Sequence, residues 1–365
     1  MRMVIFGLTV TSSWGNGHAT LWRGLIGALA PIGWSISFFE RDTPYYAGAR
    51  DLDRLDACNI ILYPDWESIG HEAEAAIRQA DVVIVTSYCP DAVRASRLAN
   101  ESCRGLKVFY DLDTPVTLAR IEQGDYPAYF EPDGLRDFDL ILSYTGGPAI
   151  DALKCILGVR HVLPLYGHVD PNRHQPARPR SEFAGDLSYL GTYAEDRQAA
   201  VERLLVAPAA KLPNRRFIIG GAQYPADFPW SGNIFFVRHL PPADHPAFFS
   251  SSRLTLNVTR EAMARKGWCP SGRLFEAAAC GAAIISDNWA GLDSFFTPGS
   301  EILLAHTTGD VVAALGLSDN EIEALGRRAR ERVLDEHTSA HRAAELDRIL
   351  NAAASMANGA MEEAI

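Results

Sequence analysis

Residues 271–287 read SGRLFEAAACGAAIISD, and this stretch decides the fold of the second half of the chain. Ser271 and Gly272 open a run of helix-forming residues that carries Glu276 in its early turns, and Gly281 ends the run before an apolar strand. The first N–H groups of a helix have no partner inside the helix and carry partial positive charge, which suits phosphate oxygens. A carboxylate one turn further along is suited to hold a ribose diol. The stretch therefore predicts a nucleotide-sugar pocket.

The composition is that of a folded chain long enough for two domains. It has 365 residues, of which 47% are hydrophobic and 22% are charged. The net charge of −11 argues against a general nucleic-acid binder, which needs a basic face. The six cysteines show no CxxC spacing, so we expect reduced thiols in a cytoplasmic protein and neither a zinc site nor disulfides. No apolar run approaches the roughly 18 residues that span a bilayer, which leaves only peripheral membrane contact open.

Short apolar runs alternate with helical periods along the chain. Such runs, bounded by helices, are typical of parallel strands that are covered on both faces. The predicted strands are 1–10, 34–39, 81–86, 106–110, 139–143 and 161–165, followed by 187–191, 216–219, 234–237, 254–258, 282–286 and 301–304. We therefore expect an α/β protein with two Rossmann-like domains that face a central cleft.

A segment rich in proline and polar residues interrupts the alternation. Residues 167–186 read GHVDPNRHQPARPRSEFAGD and are interpreted as a linker. Residues 1–166 would then form an acceptor-side domain, and residues 187–335 a nucleotide-sugar-binding domain. Residues 336–365 are predicted to form a C-terminal helix and tail that packs back on the first domain.

The loop after the first predicted strand is a candidate site, because ligands of open parallel sheets bind beyond the carboxyl ends of the strands. It reads TVTSSWGNGHAT over residues 9–20. Gly15 and Gly17 allow a ligand to approach the backbone closely, and His18 lies near the start of the next helix. His18 is suited to be a general base, with a local capping or packing role as the alternative. Thr20 stands where a third glycine would complete the dinucleotide fingerprint GxGxxG, so that fingerprint is absent.

Two aspartates follow the predicted strand at 106–110. Asp111 and Asp113 are two positions apart, so in an extended chain their side chains point the same way. One of them is suited to orient His18 and to stabilise its protonated form. The alternatives are a cap on the turn before Pro115 and a metal site built on Asp-x-Asp.

Small and basic residues follow two strands of the second half. The candidate phosphate contacts are Gly191, Thr192 and Arg197 in YLGTYAEDR, and Arg260, Arg265 and Lys266 in TREAMARK. In an acidic chain, this concentration of positive charge indicates an anion site beside the predicted donor helix. The alternative is a solvated charged helix face.

At these motifs the chain resembles known glycosyltransferases. The stretch SGRLFEAAACGAAIISD resembles the donor half of GT-B glycosyltransferases, and SSWGNGHATLWRGLIGAL, FFERDTPYYAGARDL and YDLDTP are similar to the CgeB-like (spore-maturation-protein-like) group. The resemblance implies transfer of a sugar from a nucleotide-diphosphate sugar to a hydroxyl-bearing acceptor, whether a saccharide, a lipid-linked acceptor or a small molecule. We expect no tightly bound cofactor and no metal, because Arg273 with Arg197 or Lys266 is suited to stabilise the departing diphosphate.

The resemblance also assigns roles by position. It implies that Glu276 binds the donor ribose and that His18 is the acceptor-side histidine. The diphosphate is expected at Ser271, Gly272 and Arg273. Trp268 stands where retaining relatives carry the first glutamate of E-x7-E, which leaves the sugar and the stereochemical course open, although a His18–aspartate pair favours inversion. A non-catalytic nucleotide-sugar binder and a GT-B-fold epimerase are the alternative functions.

Overall fold

The computed structural model describes residues 1–56 and 58–362, and these form two compact units. The first unit contains Met1–Tyr166 and the segment that begins at Ser339, and the second unit is Gly167–Thr338. The proline-rich segment that the sequence indicates as a linker thus belongs by its contacts to the second unit. Residues 363–365 of the predicted tail lie outside the described residues.

A seven-stranded parallel sheet forms the centre of the first unit. Its strands are β1 (Arg2–Gly7), β2 (Ser35–Arg41), β3 (Cys58–Tyr63), β4 (Val82–Thr86), β5 (Leu106–Asp111), β6 (Leu140–Ser143) and β7 (Val162–Pro164). They lie in the order β3-β2-β1-β4-β5-β6-β7, so the direction of winding reverses between β1 and β4. In the register of these pairs, Ile5 of β1 lies opposite Phe38 of β2 and Ile84 of β4. The loops that follow β1 and β4 therefore leave the sheet side by side.

The second unit repeats this arrangement with six parallel strands. They are β8 (Gly185–Leu190), β9 (Phe217–Gly221), β10 (Ile234–Arg238), β11 (Ser252–Asn257), β12 (Ile284–Ser286) and β13 (Leu303–Leu304). The order is β10-β9-β8-β11-β12-β13, with the reversal between β8 and β11. Crevices at such reversals are where doubly wound sheets bind ligands.

Helices cover both sheets. They are α1 (His18–Leu29), α2 (Pro44–Ala47), α3 (Trp66–Gln79), α4 (Ala92–Ser102), α5 (Thr114–Glu122), α6 (Pro148–Leu157), α7 (Glu195–Val201), α8 (Ala207–Lys211), α9 (His245–Ser251), α10 (Glu261–Lys266), α11 (Gly272–Ala279), α12 (Thr308–Leu315), α13 (Asp319–Glu336) and α14 (Ser339–Glu362). Side-chain caps fix several starts: Asp65 accepts the N–H of Ser68 at 2.8 Å at the start of α3. Ser318 and Glu321 form a capping box at the start of α13. Within the described residues, no helix is long and apolar enough to cross a membrane.

The last helix, α14, belongs to the first unit. Its buried residues Leu346 and Leu350 pack in one core with Trp22 and Leu25 of α1. The indole N–H of Trp34 donates a hydrogen bond to Asp347 Oδ1 at 2.9 Å. The α14 helix thus covers apolar surface of α1 that would otherwise face water.

The predicted fold class, an α/β protein with two Rossmann-like domains, is confirmed, and the sequence pattern predicts every strand except β3. That strand lies at the sheet edge, and its residues 60–63 form an apolar run (IILY) that was not assigned to a strand. The pattern also misses α2, α5, α8, α9 and α10. All of these except α10 carry proline in the first turn, where proline is compatible with a helix start although it ends helices elsewhere.

Gly326→Ala is expected to destabilise the protein, although alanine favours helices. Gly326 lies inside α13, and a Cβ atom there would fall 2.3 Å from the carbonyl oxygen of Gly281. Since backbone cannot move aside as a side chain can, we expect a loss of about 1–3 kcal/mol, the usual cost of overpacking. Gly70 inside α3 has open space at this position, so Gly70→Ala should instead add about 0.5–1 kcal/mol. Urea unfolding of both variants measures the signs, and a stabilised Gly326→Ala would contradict the close contact.

Candidate functional site

The N-terminus of α11 lies at the reversal point of the second sheet. Ser271 is its N-cap residue but makes no capping hydrogen bond through its side chain within the described residues. The first N–H groups of the helix, beginning at Gly272, therefore have no side-chain cap to satisfy them. Glu276 follows one turn later, on the face that Gly272 shares. The local arrangement is the one that the sequence predicts.

Arg273 is the centre of a polar network at this point. Its Nη1 donates a hydrogen bond to Asn257 Oδ1 at 3.1 Å, and its guanidinium lies over the ring of Tyr189 at 5.3 Å. Burial lowers the pKa of Arg273, and the neighbouring guanidinium of Arg197 lowers it further. Arg197 reaches the same tyrosine, since its Nη1 lies 3.5 Å from the Tyr189 hydroxyl oxygen. Two guanidinium groups therefore converge on one aromatic side chain.

The Nε atom of Arg197 is a buried hydrogen-bond donor next to this tyrosine. It is buried and has no hydrogen-bond partner among the residues that the structure describes. A buried donor without a partner costs free energy unless a ligand supplies the acceptor. Like charges held close together also repel. The pair Arg197 and Arg273 is thus suited to an anion that would satisfy both.

A buried hydrogen-bond network that the sequence analysis did not predict holds Arg273 in place. Asn257 ends β11, and its amide donates to the Ser286 hydroxyl at 3.0 Å. Asp287 accepts the N–H and the hydroxyl of Thr259, the latter at 2.9 Å. Burial raises the pKa of Asp287. These side chains come from the ends of neighbouring strands, so only the fold brings them together.

Glu276 lies between two histidines. His174 Nε2 is 4.0 Å from one carboxylate oxygen and His245 Nδ1 is 3.8 Å from the other. Burial by itself raises the pKa of Glu276, but the two imidazoles and Arg273 outweigh it and hold the pKa below its usual value. The carboxyl group is therefore ionised. Neither histidine was predicted as a site residue, because each lies far from Glu276 in the sequence.

The other predicted phosphate contacts differ in their surroundings. The Gly191 N–H donates to the carbonyl oxygen of Gly220 at 2.8 Å, so this N–H is already used. Thr192 follows it and is partly buried. Arg260 forms an ion pair with Asp196 at 2.9 Å, and Arg265 forms an exposed pair with Glu261 at 2.7 Å. Arg197 and Arg273 are therefore stronger candidates than Arg260 and Arg265.

Trp268 has an unusual backbone. Its φ is 43°, in the left-handed region that bulky residues rarely adopt. The indole packs against Gly291, where an added Cβ atom would fall 2.4 Å from Nε1. Trp268 thus has a strained backbone conformation and a close contact with Gly291.

A buried carboxylate shapes the loop after β1. Glu40, at 1% exposure, accepts hydrogen bonds from the Val10 N–H at 2.6 Å, the Thr11 N–H at 3.0 Å and the Thr9 hydroxyl at 2.8 Å. It also accepts one from the Thr11 hydroxyl at 2.5 Å. On the other side of the loop, Asp51 accepts from Ser13 at 2.6 Å. The loop is therefore fixed by two acidic residues that sequence spacing did not reveal.

The two loop glycines differ. Gly15 has a φ of +66°, and a Cβ atom there would meet the Tyr45 hydroxyl at 3.0 Å. Gly17 has ordinary helical backbone angles and open space at its Cβ position. Gly15 is therefore needed for the turn, whereas Gly17 leaves room beside α1.

His18 is the first residue of α1. Its N–H and that of Ala19 donate to Asn16 Oδ1 at 3.0 and 3.2 Å, so the Asn16 side chain satisfies the first two N–H groups of α1. The ring Nδ1 is buried and has no hydrogen-bond partner in the described part of the chain. Burial lowers the pKa of His18 to about 4. The imidazole is therefore neutral at pH 7 and has a nitrogen able to accept a proton.

Tyr88 links His18 to the aspartate pair. Its ring centroid is 5.7 Å from that of His18, and its hydroxyl donates to Asp113 Oδ2 at 2.9 Å. Tyr88 has a φ of 64°, and such backbone strain clusters at functional sites. The sequence predicts that an aspartate orients the His18 ring. The observed link runs through a tyrosine from the loop after β4.

Asp111 is the other aspartate of the pair, two residues before Asp113. It is buried, and its Oδ1 accepts the N–H of Asp113 at 3.1 Å. Burial is the main cause that raises the pKa of Asp111 to about 6, and the nearby charge of Asp113 adds to it. Asp113 is the N-cap residue of α5. In the residues described, the two aspartates form no three-ligand group with other histidine, cysteine or acidic side chains.

The comparisons with known proteins agree with this fold. Residues 197–348 match a family described as glycosyl transferase-like. Sucrose-phosphate synthase from Thermosynechococcus elongatus is similar over 96% of this chain and 98% of its own, with 14% identity and a TM-score of 0.69. Anabaena Alr3699/HepE, solved with UDP and glucose, is similar over 96% and 99%, with 12% identity and a TM-score of 0.70.

A third structure is an alpha-glucosyltransferase, solved with UDP-glucose and DNA that contains an abasic site. It covers 96% of this chain and 99% of its own, with 12% identity and a TM-score of 0.72. No curated protein matches the sequence. The fold is GT-B.

Proposed function

We propose that the second unit binds the donor through its diphosphate at Arg197, Arg273 and the N-terminus of α11. The observation that carries this proposal is the convergence of two guanidinium groups on Tyr189, one of them with a buried Nε that lacks a partner among the described residues. A diphosphate supplies both the charge and the acceptors that this arrangement requires. The sugar passes to a hydroxyl-bearing acceptor.

Glu276 is the proposed ribose ligand. Its carboxylate is ionised, partly buried and one helical turn from the phosphate-binding end of α11. An ionised carboxylate accepts hydrogen bonds from both hydroxyls of a ribose. Two of the similar structures were solved with UDP or UDP-glucose. UDP and UDP-glucose are therefore the first ligands to test.

Glu276→Ala is expected to weaken UDP binding by roughly 1.5–3 kcal/mol, the range for hydrogen bonds to a charged group. Isothermal titration calorimetry in the presence of EDTA measures this loss without any contribution from metal ions. Glu331→Ala, at an exposed position of α13, is the matched control and should bind as the wild type does. Circular dichroism verifies the fold, and wild-type affinity in a folded Glu276→Ala would remove the ribose assignment.

Metal-independent departure of the diphosphate is the second part of the proposal. As the bond from the anomeric carbon to the diphosphate breaks, negative charge grows on the leaving phosphate oxygen. Arg273 and the N-terminus of α11 are proposed to supply the fixed positive charge that stabilises it. The network through Asn257 holds the guanidinium in place before the reaction begins.

Turnover is therefore expected to persist after dialysis against EDTA, whereas Arg273→Gln should lower kcat by about 10²–10³-fold, as loss of a preorganised donor does. Arg203→Gln, at an exposed position in the same unit, is the control. Release of nucleoside diphosphate from UDP-glucose is the measurement. Activity that disappears in EDTA and returns with Mg²⁺ or Mn²⁺ would instead show a metal-assisted departure.

His18 is the proposed general base of the first unit. The acceptor oxygen forms a bond to the anomeric carbon, the bond to the diphosphate breaks, and the hydroxyl proton passes to the imidazole. A neutral imidazole is required, and burial keeps His18 neutral. Tyr88 and Asp113 act behind it as positioning residues.

His18→Ala should lower the transfer rate by about 10²–10⁴-fold, the usual loss for a general base, with nearly unchanged UDP affinity. His71→Ala, exposed on α3, is the matched control. Because the pKa of His18 is lowered to about 4, the acidic limb of the wild-type pH–rate profile should lie near pH 4 and not near pH 6.5. Full activity of His18→Ala would leave this histidine only a local role in the turn.

We also propose that the chain belongs to the CgeB-like group of glycosyltransferases. The segments SSWGNGHATLWRGLIGAL and YDLDTP support this, because they contain His18, Asp111 and Asp113. The structure adds Tyr88 to this set as a side chain that contacts both His18 and Asp113.

A further inference from the structure

Glu276 and its two histidines form a compact set of possible metal ligands. One ligand atom from each of His174, His245 and Glu276 lies within 4.8 Å of the other two. The residues come from three separate places: a turn after Asp170, the first position of α9 and the middle of α11. Among the described residues, this is the one group of three or more such side chains at this spacing.

Three of the four imidazole nitrogens lack a hydrogen-bond partner in the described residues. His174 is only 6% exposed, and neither of its ring nitrogens has a hydrogen-bond partner there. The Nδ1 of His245, which points to the carboxylate, also has none. At 4.0 and 3.8 Å from the carboxylate oxygens, both nitrogens are beyond hydrogen-bond distance. Buried nitrogens left in this way indicate that a further group completes the site.

We propose that His174, His245 and Glu276 bind one Zn²⁺ ion. Zinc is bound by imidazole nitrogen and carboxylate oxygen at roughly 2.0–2.2 Å, commonly with three protein ligands and one water. At these bond lengths, tetrahedral ligand atoms lie roughly 3.4 Å apart. The observed separations of 3.8 and 4.0 Å exceed this by about half an ångström, which side-chain rotations can supply.

Zinc at this site competes with the nucleotide. This step rests on the proposed function, in which the Glu276 carboxylate accepts hydrogen bonds from the donor ribose. A carboxylate oxygen that coordinates Zn²⁺ is not available in the same way to the ribose diol. The zinc-bound state should therefore bind UDP weakly, and the metal acts as an inhibitor that the donor displaces.

Cobalt titration tests the metal site itself. The full-length protein is treated with EDTA, dialysed and titrated with Co²⁺, which gives visible absorption bands in a site of low coordination number. We expect one Co²⁺ per chain and displacement by Zn²⁺. Loss of a residue that only supports a metal ligand weakens metal binding by roughly 10–100-fold. Because His174 and His245 are proposed as ligands themselves, His174→Ala and His245→Ala should each weaken Zn²⁺ binding by more than this. His306→Ala, an exposed histidine of the same unit, should keep the bands.

Folding is checked in parallel, because a buried histidine contributes to packing. Circular dichroism is recorded for each variant, and His174→Asn keeps a polar side chain at that position if His174→Ala does not fold. A folded variant that retains the full cobalt spectrum would overturn the proposal. The absence of bands in the wild type would overturn it equally.

Calorimetry with UDP then tests the competition. The affinity for UDP is measured in EDTA and again in Zn²⁺. The same two measurements are made on His174→Ala, in which zinc should no longer lower the affinity for UDP. Any loss of affinity that remains in this variant measures the zinc that binds to UDP itself. We expect at least a tenfold loss of UDP affinity when the site is saturated. Equal affinity in both conditions would overturn the competition. Failure of UDP to bind in EDTA would contradict the proposed function, while the cobalt titration would still decide the metal site.

Discussion

The parallel pairing of β1 with β4, and of β8 with β11, determines where each unit can hold functional groups. Parallel strands end at the same edge of a sheet, and a reversal of strand order leaves a crevice at that edge, beside the loops that follow the two strands. In the first unit this places Tyr88 beside His18, and in the second it places Tyr189 and Asn257 beside Arg273. Without parallel pairing, the same residues would lie at opposite ends of their strands.

Local patterns in the sequence predicted the parts of the structure that depend on neighbouring residues. Buried strands appear as continuous apolar runs, and the turn and helix around Arg273 and Glu276 are encoded within a few positions. The edge strand β3 was missed although its sequence, CNIILY, contains four consecutive apolar residues. Another reason explains why four site residues were missed, namely Glu40, Tyr88, His174 and His245. Each contacts a residue that is distant in the sequence, so only the tertiary structure shows the contact.

Both candidate sites contain buried polar groups that have no hydrogen-bond partner among the described residues. His18 Nδ1 in the first unit, and Arg197 Nε and both nitrogens of His174 in the second, lack partners among the described residues. By contrast, the buried carboxylate of Glu40 accepts several hydrogen bonds, and all of these come from the loop that follows β1. This difference separates a polar group that stabilises the fold from one that is kept ready for a ligand.

The return of α14 to α1 has a consequence for the order of folding. The second unit is continuous in sequence, whereas the first is split and lacks one of its helices until the segment after Thr338 is present. During synthesis from the N-terminus, the second unit can therefore complete its core earlier than the first. Until α14 arrives, Trp22 and Leu25 of the nascent first unit lack part of the apolar surface that buries them. The half of the protein that is translated first is the half that must wait to finish folding.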